Sequence, residues 1–173
     1  ERFEYVYKFV SRDRYRSHSP GNANLLDDGT LYVARFEDDG KGRWLALRHG
    51  EKHENGALTA DNGFPSQGEV VIRCRQAADL AGATKMDRPE WIAVHPQSGE
   101  VYVTLTNNSK RGAPESAGPN AATPRPENNF GHIVRWRENA RDAASTAFEW
   151  DIFALAGDPR NPDPNKQGNI KGD

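Results

Sequence analysis

The sequence has few residues that bind soft metals or form disulfides. It contains one cysteine, Cys74, and one methionine, Met86, in 173 residues. A single cysteine excludes an intrachain disulfide and the Cys-rich zinc sites. It leaves the compartment open, because exported proteins with few cysteines are common.

The sequence also has no excess of one charge and no long apolar run. The formal net charge is -2, so nothing favours nucleic acid or an anionic membrane as a partner. No run approaches the roughly 18 apolar residues of a membrane span. The length suits one domain with a real core. The hydrophobic fraction of 35% is low, and long polar loops explain much of the deficit.

Short β-type segments separated by turn residues make up most of the chain. Val, Ile, Tyr, Phe and Trp are enriched in them, which is typical of strands. Asp28-Gly29 and the Asp38-Asp39-Gly40 run mark turns between such segments. The strands predicted in this way are 4–10, 43–48, 91–94, 100–105, 131–138 and 148–155, and 25–36 is predicted as a turn followed by a strand.

One helix is predicted after Gly68. Apolar residues from Val70 to Ala81 recur near helical spacing, and Gly82 is a plausible C-terminal stop. Cys74 lies on the apolar side of this pattern, so we predict a packed core thiol rather than a nucleophile or ligand.

A strand-turn-strand unit occurs twice. An apolar strand end, a short turn, a glycine and an apolar-Tyr-Val sequence place Tyr32 and Tyr102 at matching positions. Such a repeat indicates propeller blades of about 40–50 residues. We therefore predict a mainly β chain in which 1–173 is a single partial β-propeller segment with antiparallel blades, one short helix and inserted loops at 51–67 and 109–129.

The run Asp87-Arg88-Pro89-Glu90-Trp91 is the strongest candidate for chemistry. Arginine offers planar, permanently charged donors to phosphate oxygens. Carboxylate oxygens are the ligands that hard cations such as Ca²⁺ prefer. The alternative is a surface ion pair beside a rigid proline turn, and spacing alone favours it because structural ion pairs are common.

Three further side chains are candidates of lesser weight. Asn107 and Asn108 follow a predicted strand, where they could supply ligand oxygens or simply form a turn. His132, at the start of a strand, could line a site, and packing is the favoured interpretation.

Several separated motifs resemble one family. Segments 84–96, 99–108 and 131–136 closely resemble the PhoX-type bacterial alkaline phosphatases, and 1–10 and 169–173 are similar to other parts of that family. Family members are much longer than this sequence, which resembles an internal portion of one, and both ends look cut from a longer protein.

The resemblance implies a six-bladed propeller, export by the twin-arginine route to the periplasm or outside the cell, and a central site of Ca²⁺ and Fe³⁺ that hydrolyses phosphate esters. Carried over by motif, Arg88 would contact the substrate phosphate and Glu90 would ligate metal. Glu1 or Glu4, from the acidic run before the first strand, would supply another metal ligand. Four residues would contact and orient these phosphate-binding and metal-binding side chains without touching phosphate or metal themselves: Asp87, Asn107, Asn108 and His132. The family's iron-binding cysteine should lie upstream, and Cys74 does not match it.

Three functions remain open from the sequence. The first is a segment of a metal-dependent phosphatase acting on phosphate monoesters. The second is a non-catalytic binding or interaction propeller, and the third is a calcium-dependent lactonase-like hydrolase. A partial propeller leaves sheet edges exposed, so we expect the isolated segment to be inactive and to self-associate.

Overall fold

A computed structural model describes residues 2–170 of the chain. Glu1, one of the residues carried over from the family, lies outside this part, as do the last three residues of the 169–173 segment. The chain divides into two compact units. The expectation that 1–173 is a single partial propeller segment stays a prediction. One unit comprises Tyr7–Arg35 and Trp44–Ala83, and the other comprises Glu1–Val6, Phe36–Arg43 and Thr84–Asp173.

The unit that contains Tyr7–Arg35 combines strands with a helical pair. Its strands β2 (Tyr7–Ser11) and β3 (Gly29–Phe36, whose last residue belongs to the other unit) pair antiparallel, with Tyr7 opposite Val33. The predicted strand over 4–10 is therefore shorter in the structure, because a separate strand β1 (Phe3–Glu4) precedes it. The strand predicted after the turn in 25–36 is confirmed and begins at Gly29.

The predicted helix is confirmed, but it is broken into two pieces. Helix α1 (Gln67–Ile72) starts at Ser66, whose side chain accepts a hydrogen bond from the Glu69 amide, and α2 (Cys74–Ala81) ends at Gly82 in the left-handed conformation. Gly82 fits this position because it lacks a Cβ. Cys74 is only half-buried, so the prediction of a core thiol was wrong; the fully buried helix residues are the small Ala77, Ala78 and Ala81 and the single Val70.

The 51–67 segment, which we predicted as an inserted loop, contains a small hairpin. Strands β5 (Lys52–His53) and β6 (Gly56–Ala57) pair antiparallel, and a 3₁₀ turn follows at Ala60–Asn62. Leu58 and Phe64 are fully buried, which gives this polar stretch its own anchors.

The other unit is built on an antiparallel sheet. Its strands are β8 (Pro89–Val94), β9 (Val101–Leu105), β10 (His132–Glu138) and β11 (Ala147–Leu155), and they are neighbours in that order. The hairpin predicted across Pro96–Gly99 is confirmed by the β8–β9 pairing, and the predicted partnership of 131–138 with 148–155 is confirmed by β10–β11.

Two short pairings complete this unit. Strand β7 (Met86–Asp87) pairs with β1, and β12 (Asn169–Ile170) pairs with the end of β11. In addition, residues 41–43 at the start of β4 (Lys41–Ala46) pair with 147–149 of β11.

Burial alternates along strand β10, and this alternation shows which face of the sheet covers the core of this unit. His132, Val134 and Trp136 on β10 are buried while the residues between them are half-exposed, the period of a strand with one covered face. Phe36 makes edge-on contacts at 5.2–6.4 Å with the rings of Trp136, Phe148 and Trp150. Trp91 on β8 is 80% exposed, and β8 has a sheet neighbour on one side only among residues 2–170.

Candidate functional site

The site predicted around Arg88 begins at strand β7. Asp87 pairs with Phe3 across the β1–β7 ladder, and Met86 pairs with Glu4. The ladder therefore brings the half-buried Glu4 beside the segment that carries Arg88. Strand pairing, rather than proximity in the sequence, brings Glu4 near the segment that carries Arg88.

Arg88 has an unusual backbone and an unsatisfied side chain. Its φ is 49°, in the left-handed region that non-glycine residues seldom adopt. Its carbonyl accepts a hydrogen bond from the Thr106 amide at 3.3 Å. The side chain is half-buried, and its Nε is buried without any hydrogen-bond partner in the described part of the chain. A buried donor without a partner is costly, so this guanidinium has bonding capacity left for a ligand.

Glu90 stands in a different environment two residues later. It is exposed, and within residues 2–170 its carboxylate forms no ion pair. The β8–β9 register shifts between Pro89 and Ile92, so Glu90 and Trp91 lie in an irregular stretch of the strand. Such irregularities redirect side chains at sheet edges. The carboxylate is thus accessible to a cation.

Asp87 does not form the surface ion pair considered from the sequence. Its side chain is fully buried, and Oδ1 accepts hydrogen bonds from Arg111 Nε at 2.9 Å and Nη2 at 2.6 Å. The Nδ2 groups of Asn108 and Asn128 donate to Oδ1 and Oδ2 at 2.9 and 3.0 Å. Asp87 therefore does not bond Arg88 directly; it is the centre of a buried polar network.

Arg111 is the second centre of that network. Its side chain is also fully buried, and its Nη1 and Nη2 donate to the carbonyls of Gly118 and Lys85 at 3.0 and 2.9 Å. Its guanidinium lies 4.8 Å from the centre of the Phe3 ring. A buried charge needs this degree of pairing, because an uncompensated one is strongly destabilising.

The two predicted asparagines have different surroundings. Asn107 is exposed, and no hydrogen bond of its side chain is found within the described residues. Asn108 is fully buried; besides Asp87 it donates to the Arg2 carbonyl at 2.8 Å, and its Oδ1 accepts from the Lys110 amide at 3.0 Å. Asn108 thus uses its amide to fix the backbone around Asp87.

His132 is buried and bonded at both ring nitrogens. Its Nε2 lies 2.7 Å from the Ala122 carbonyl and its Nδ1 lies 3.2 Å from Asn128 Nδ2. This pattern fits a neutral ring that donates from Nε2 and accepts at Nδ1. Burial lowers the pKa of His132 below its usual value, and the nearby cations Arg125 and Arg111 act in the same direction. Packing, the interpretation favoured from the sequence, describes this residue well.

The described residues do not form a complete metal site. No group of three or more His, Cys, Asp or Glu side chains in residues 2–170 is placed to hold an ion. The free carboxylate of Glu90 fits one ligand position of a hard cation.

A pocket of about 690 Å³ lies in the same unit, but Arg88 and Glu90 do not line it. Its wall is mostly apolar, and it includes Leu105, Phe130, His132, Ile133, Leu155 and Ile170. The pocket and the predicted pair are therefore separate features among the described residues.

Sequence reasoning missed Arg111 and Asn128. Both lie in the 109–129 stretch, which we predicted as an inserted loop, and nothing in their spacing distinguishes them from solvated loop residues. In the structure, a bridge between Asn108 and Asn128 closes this stretch, hereafter the 108–128 loop. The sequence offers one signal for them: a charged residue stands in a proline-rich loop that is not polar along its whole length.

The arrangement of the strands defines the fold class of the chain. The chain is mainly β and antiparallel, and its fold is that of part of a β-propeller. A family model described as alkaline phosphatase PhoX matches residues 1–173, so the chain belongs to the PhoX alkaline phosphatase family. No curated protein matches it.

A solved structure supports the same assignment. Pseudomonas fluorescens PhoX, in complex with vanadate, a transition state analogue, is 47% identical to this chain and superposes with a TM-score of 0.85. The similarity covers 97% of this chain and 30% of the Pseudomonas chain. The present sequence thus spans under a third of the length of that protein.

Proposed function

We propose that the protein containing this chain is a hydrolase of phosphate monoesters in which Arg88 contacts the substrate phosphate. The observation that carries this proposal is the buried Arg88 Nε, which lacks a partner among the described residues in a chain of an alkaline phosphatase family. The vanadate bound by the Pseudomonas relative is consistent with a phosphoryl-transfer site in the family.

The proposed role of Arg88 follows from the charge distribution in phosphoryl transfer. Negative charge is spread over the equatorial oxygens of the transferred group, and catalysis is largely positioning and electrostatic stabilisation. A guanidinium that is fixed before substrate arrives need not reorganise during the reaction. The left-handed backbone at Arg88 and the following Pro89 both restrict the segment, which suits such a role.

Glu90 is proposed as one ligand of a bound Ca²⁺ or Fe³⁺, with Glu4 or Glu1 as a further donor. Such ions supply Lewis acidity toward phosphoryl oxygens. The exposed, unpaired carboxylate of Glu90 supports this proposal, and the remaining ligands would come from outside the described residues. A periplasmic or secreted location is inferred from the family resemblance. Of the helices described, none has the length and apolar character to span a bilayer.

The test uses the full-length protein and a chromogenic phosphate monoester. Arg88→Ala should lower kcat/KM by a factor of 10² or more, on the order found when one preorganised donor to a transition-state oxygen is removed. Arg12→Ala is the matched control, because Arg12 is an exposed arginine paired with Asp28, and it should retain activity. Unchanged turnover in Arg88→Ala would refute the assigned role.

The two alternative functions predict other outcomes for the same preparation. A non-catalytic interaction propeller would show no turnover and no stoichiometric calcium or iron by elemental analysis. A lactonase-like hydrolase would cleave lactones and leave phosphate esters intact. Phosphate-ester turnover with bound metal excludes both.

A further inference from the structure

The left-handed backbone conformation of Arg88 needs support from the residues around it. A non-glycine residue in the left-handed region persists only where the surrounding structure fixes it. On its C-terminal side, the Thr106 amide bonds the Arg88 carbonyl, whereas Pro89 favours an extended rather than a left-handed conformation at the residue before it. A single hydrogen bond of 3.3 Å is weak support on its own.

The stronger support lies on the N-terminal side, at Asp87. Its carboxylate accepts four hydrogen bonds at 2.6–3.0 Å, two from Arg111 and one each from Asn108 and Asn128. Both oxygens are therefore engaged, and the Cα of Asp87 is immobilised one peptide unit before Arg88. Charge-assisted bonds of this kind are stronger and more directional than neutral ones.

Arg111 anchors the same segment a second time. Its Nη2 donates both to the Asp87 carboxylate and to the Lys85 carbonyl, so one guanidinium fixes two residues that precede Arg88. Its Nη1 donates to the Gly118 carbonyl within the 108–128 loop. The loop and the Arg88 segment are thus bound through one buried side chain.

We propose that Arg111, acting through Asp87, is a positioning residue for Arg88, so that the 108–128 loop and the phosphate-contacting arginine move as one rigid unit. The catalytic consequence of this inference rests on the function proposed above. The structural claim, that the Asp87–Arg111 pair holds the Arg88 backbone, can be tested without it. Arg111 itself does not contact the substrate in this proposal.

The kinetic test uses Asp87→Asn and Arg111→Lys in the full-length protein. Asp87→Asn keeps the shape but removes the charge, and Arg111→Lys keeps the charge but loses the planar fork. Each should lower kcat/KM on a chromogenic phosphate monoester by about 10–100-fold, the usual effect of losing a supporting residue behind a functional one. Inhibition by inorganic phosphate should weaken in parallel.

The matched control is Asp151→Asn. Asp151 and Arg135 form another two-bond pair in the same unit, at 3.1 and 2.9 Å, but they join β11 to β10. Loss of that pair should change kcat/KM and phosphate inhibition by less than about threefold, because neither residue adjoins Arg88. A loss equal to that of Asp87→Asn would show a general packing effect and overturn the inference.

A double-mutant cycle separates positioning from general destabilisation. In the Arg88→Ala background, Asp87→Asn should cause almost no further loss of kcat/KM, because the residue that it positions is gone. Full additivity of the two losses would contradict the proposal.

A crystal structure of the variant gives the readout that is independent of activity. In Asp87→Asn, Arg88 should leave the left-handed conformation or its guanidinium should shift, while Asp151→Asn leaves both in place. If Asp87→Asn does not fold, Arg111→Lys serves for the same measurement.

Displacement of Arg88 in a protein whose wild type lacks phosphatase activity would overturn the proposed function and support positioning. An unmoved Arg88 in an active enzyme would overturn positioning alone.

Discussion

Arg88 and Glu90 differ in how they carry their charges. Arg88 is half-buried with an unsatisfied Nε, and Glu90 is exposed without a partner in the described part of the chain. A buried unsatisfied donor has a desolvation penalty of about 1–3 kcal/mol, and positive φ adds about 1–2 kcal/mol. Proteins retain such costs mainly at functional sites, which supports the proposal that Arg88, rather than a better-satisfied arginine, contacts the substrate.

His132 gives a prediction of pH dependence. Its pKa is lowered by burial in the folded state, so the unfolded chain binds a proton at higher pH than the folded one. The stability from the neutral ring is present above the unfolded pKa of about 6.5 and falls as the pH drops toward the folded pKa. In that window the free energy of unfolding should fall by up to about 1.4 kcal/mol per pH unit. Around the ring, Asp87 opposes the shift, whereas Arg125 and Arg111 support it.

The measurement is denaturant unfolding of the wild type and His132→Gln between pH 7.5 and 5. His132→Gln should be less stable at neutral pH but should lose less stability on acidification. His49→Gln is the control, because His49 is exposed, and it should follow the wild type. An identical acid slope in all three proteins would show that His132 does not titrate as proposed.

At the level of secondary-structure elements, the sequence predicted the positions of the strands better than the structure and contacts of the loops. The β8–β9 and β10–β11 hairpins follow from local alternation and turn residues, and both signals are contained within about 25 residues. The broken helix shows the limit, because nothing local requires the interruption at Arg73, whose φ/ψ of -106° and 36° separates α1 from α2.

The 108–128 loop could not be predicted for a different reason. Its order depends on Asp87, which lies 21 residues before Asn108 and 41 before Asn128, so the partners are invisible to any local pattern. The family motif drew attention to Arg88 and Glu90 as candidates, whereas the buried network around Asp87 became visible only with tertiary structure. The sequence likewise does not indicate that Trp91 is exposed, because composition cannot tell which strand lacks a second neighbour.

Gly131 gives a prediction for the entry into β10. Its φ is +74°, and an added Cβ would overlap the carbonyl oxygens of Leu105 and Thr106. Gly131→Ala should therefore lower the free energy of unfolding by about 2 kcal/mol or more, combining left-handed strain with overpacking. His132 is the next residue, so its buried bonds should be disturbed as well.

Gly99 is a matched control for that change. It has the same φ of +74°, but nothing lies within 4 Å of an added Cβ. Gly99→Ala should cost only the backbone strain, about 1 kcal/mol. Chemical denaturation of the two variants isolates the clash at Gly131, and equal losses would show that close approach does not matter there.

At the scale of the whole molecule, the chain spans 30% of the length of the Pseudomonas relative and leaves apolar surface on one strand. Trp91, Ile92 and Val94 on β8 are 80%, 50% and 61% exposed. A strand with a neighbour on one side only in residues 2–170 presents unpaired backbone groups, and apolar side chains make that edge a template for association. The rest of a longer protein would cover such an edge.

The purified 173-residue chain should therefore self-associate and show little or no phosphatase activity. Sedimentation velocity over a range of concentrations should reveal dimers or larger species, and Ile92→Lys should shift them toward monomer, because a charge at this edge opposes strand addition. Ile72→Lys is the control, since Ile72 is an equally apolar residue that is 78% exposed and lies on helix α1 rather than on a strand. A monomeric wild-type chain, or equal effects of the two substitutions, would show that the β8 edge does not drive association. Robust turnover by this chain alone would show that it contains a complete site, with the metal ligands supplied by residues other than those assigned here.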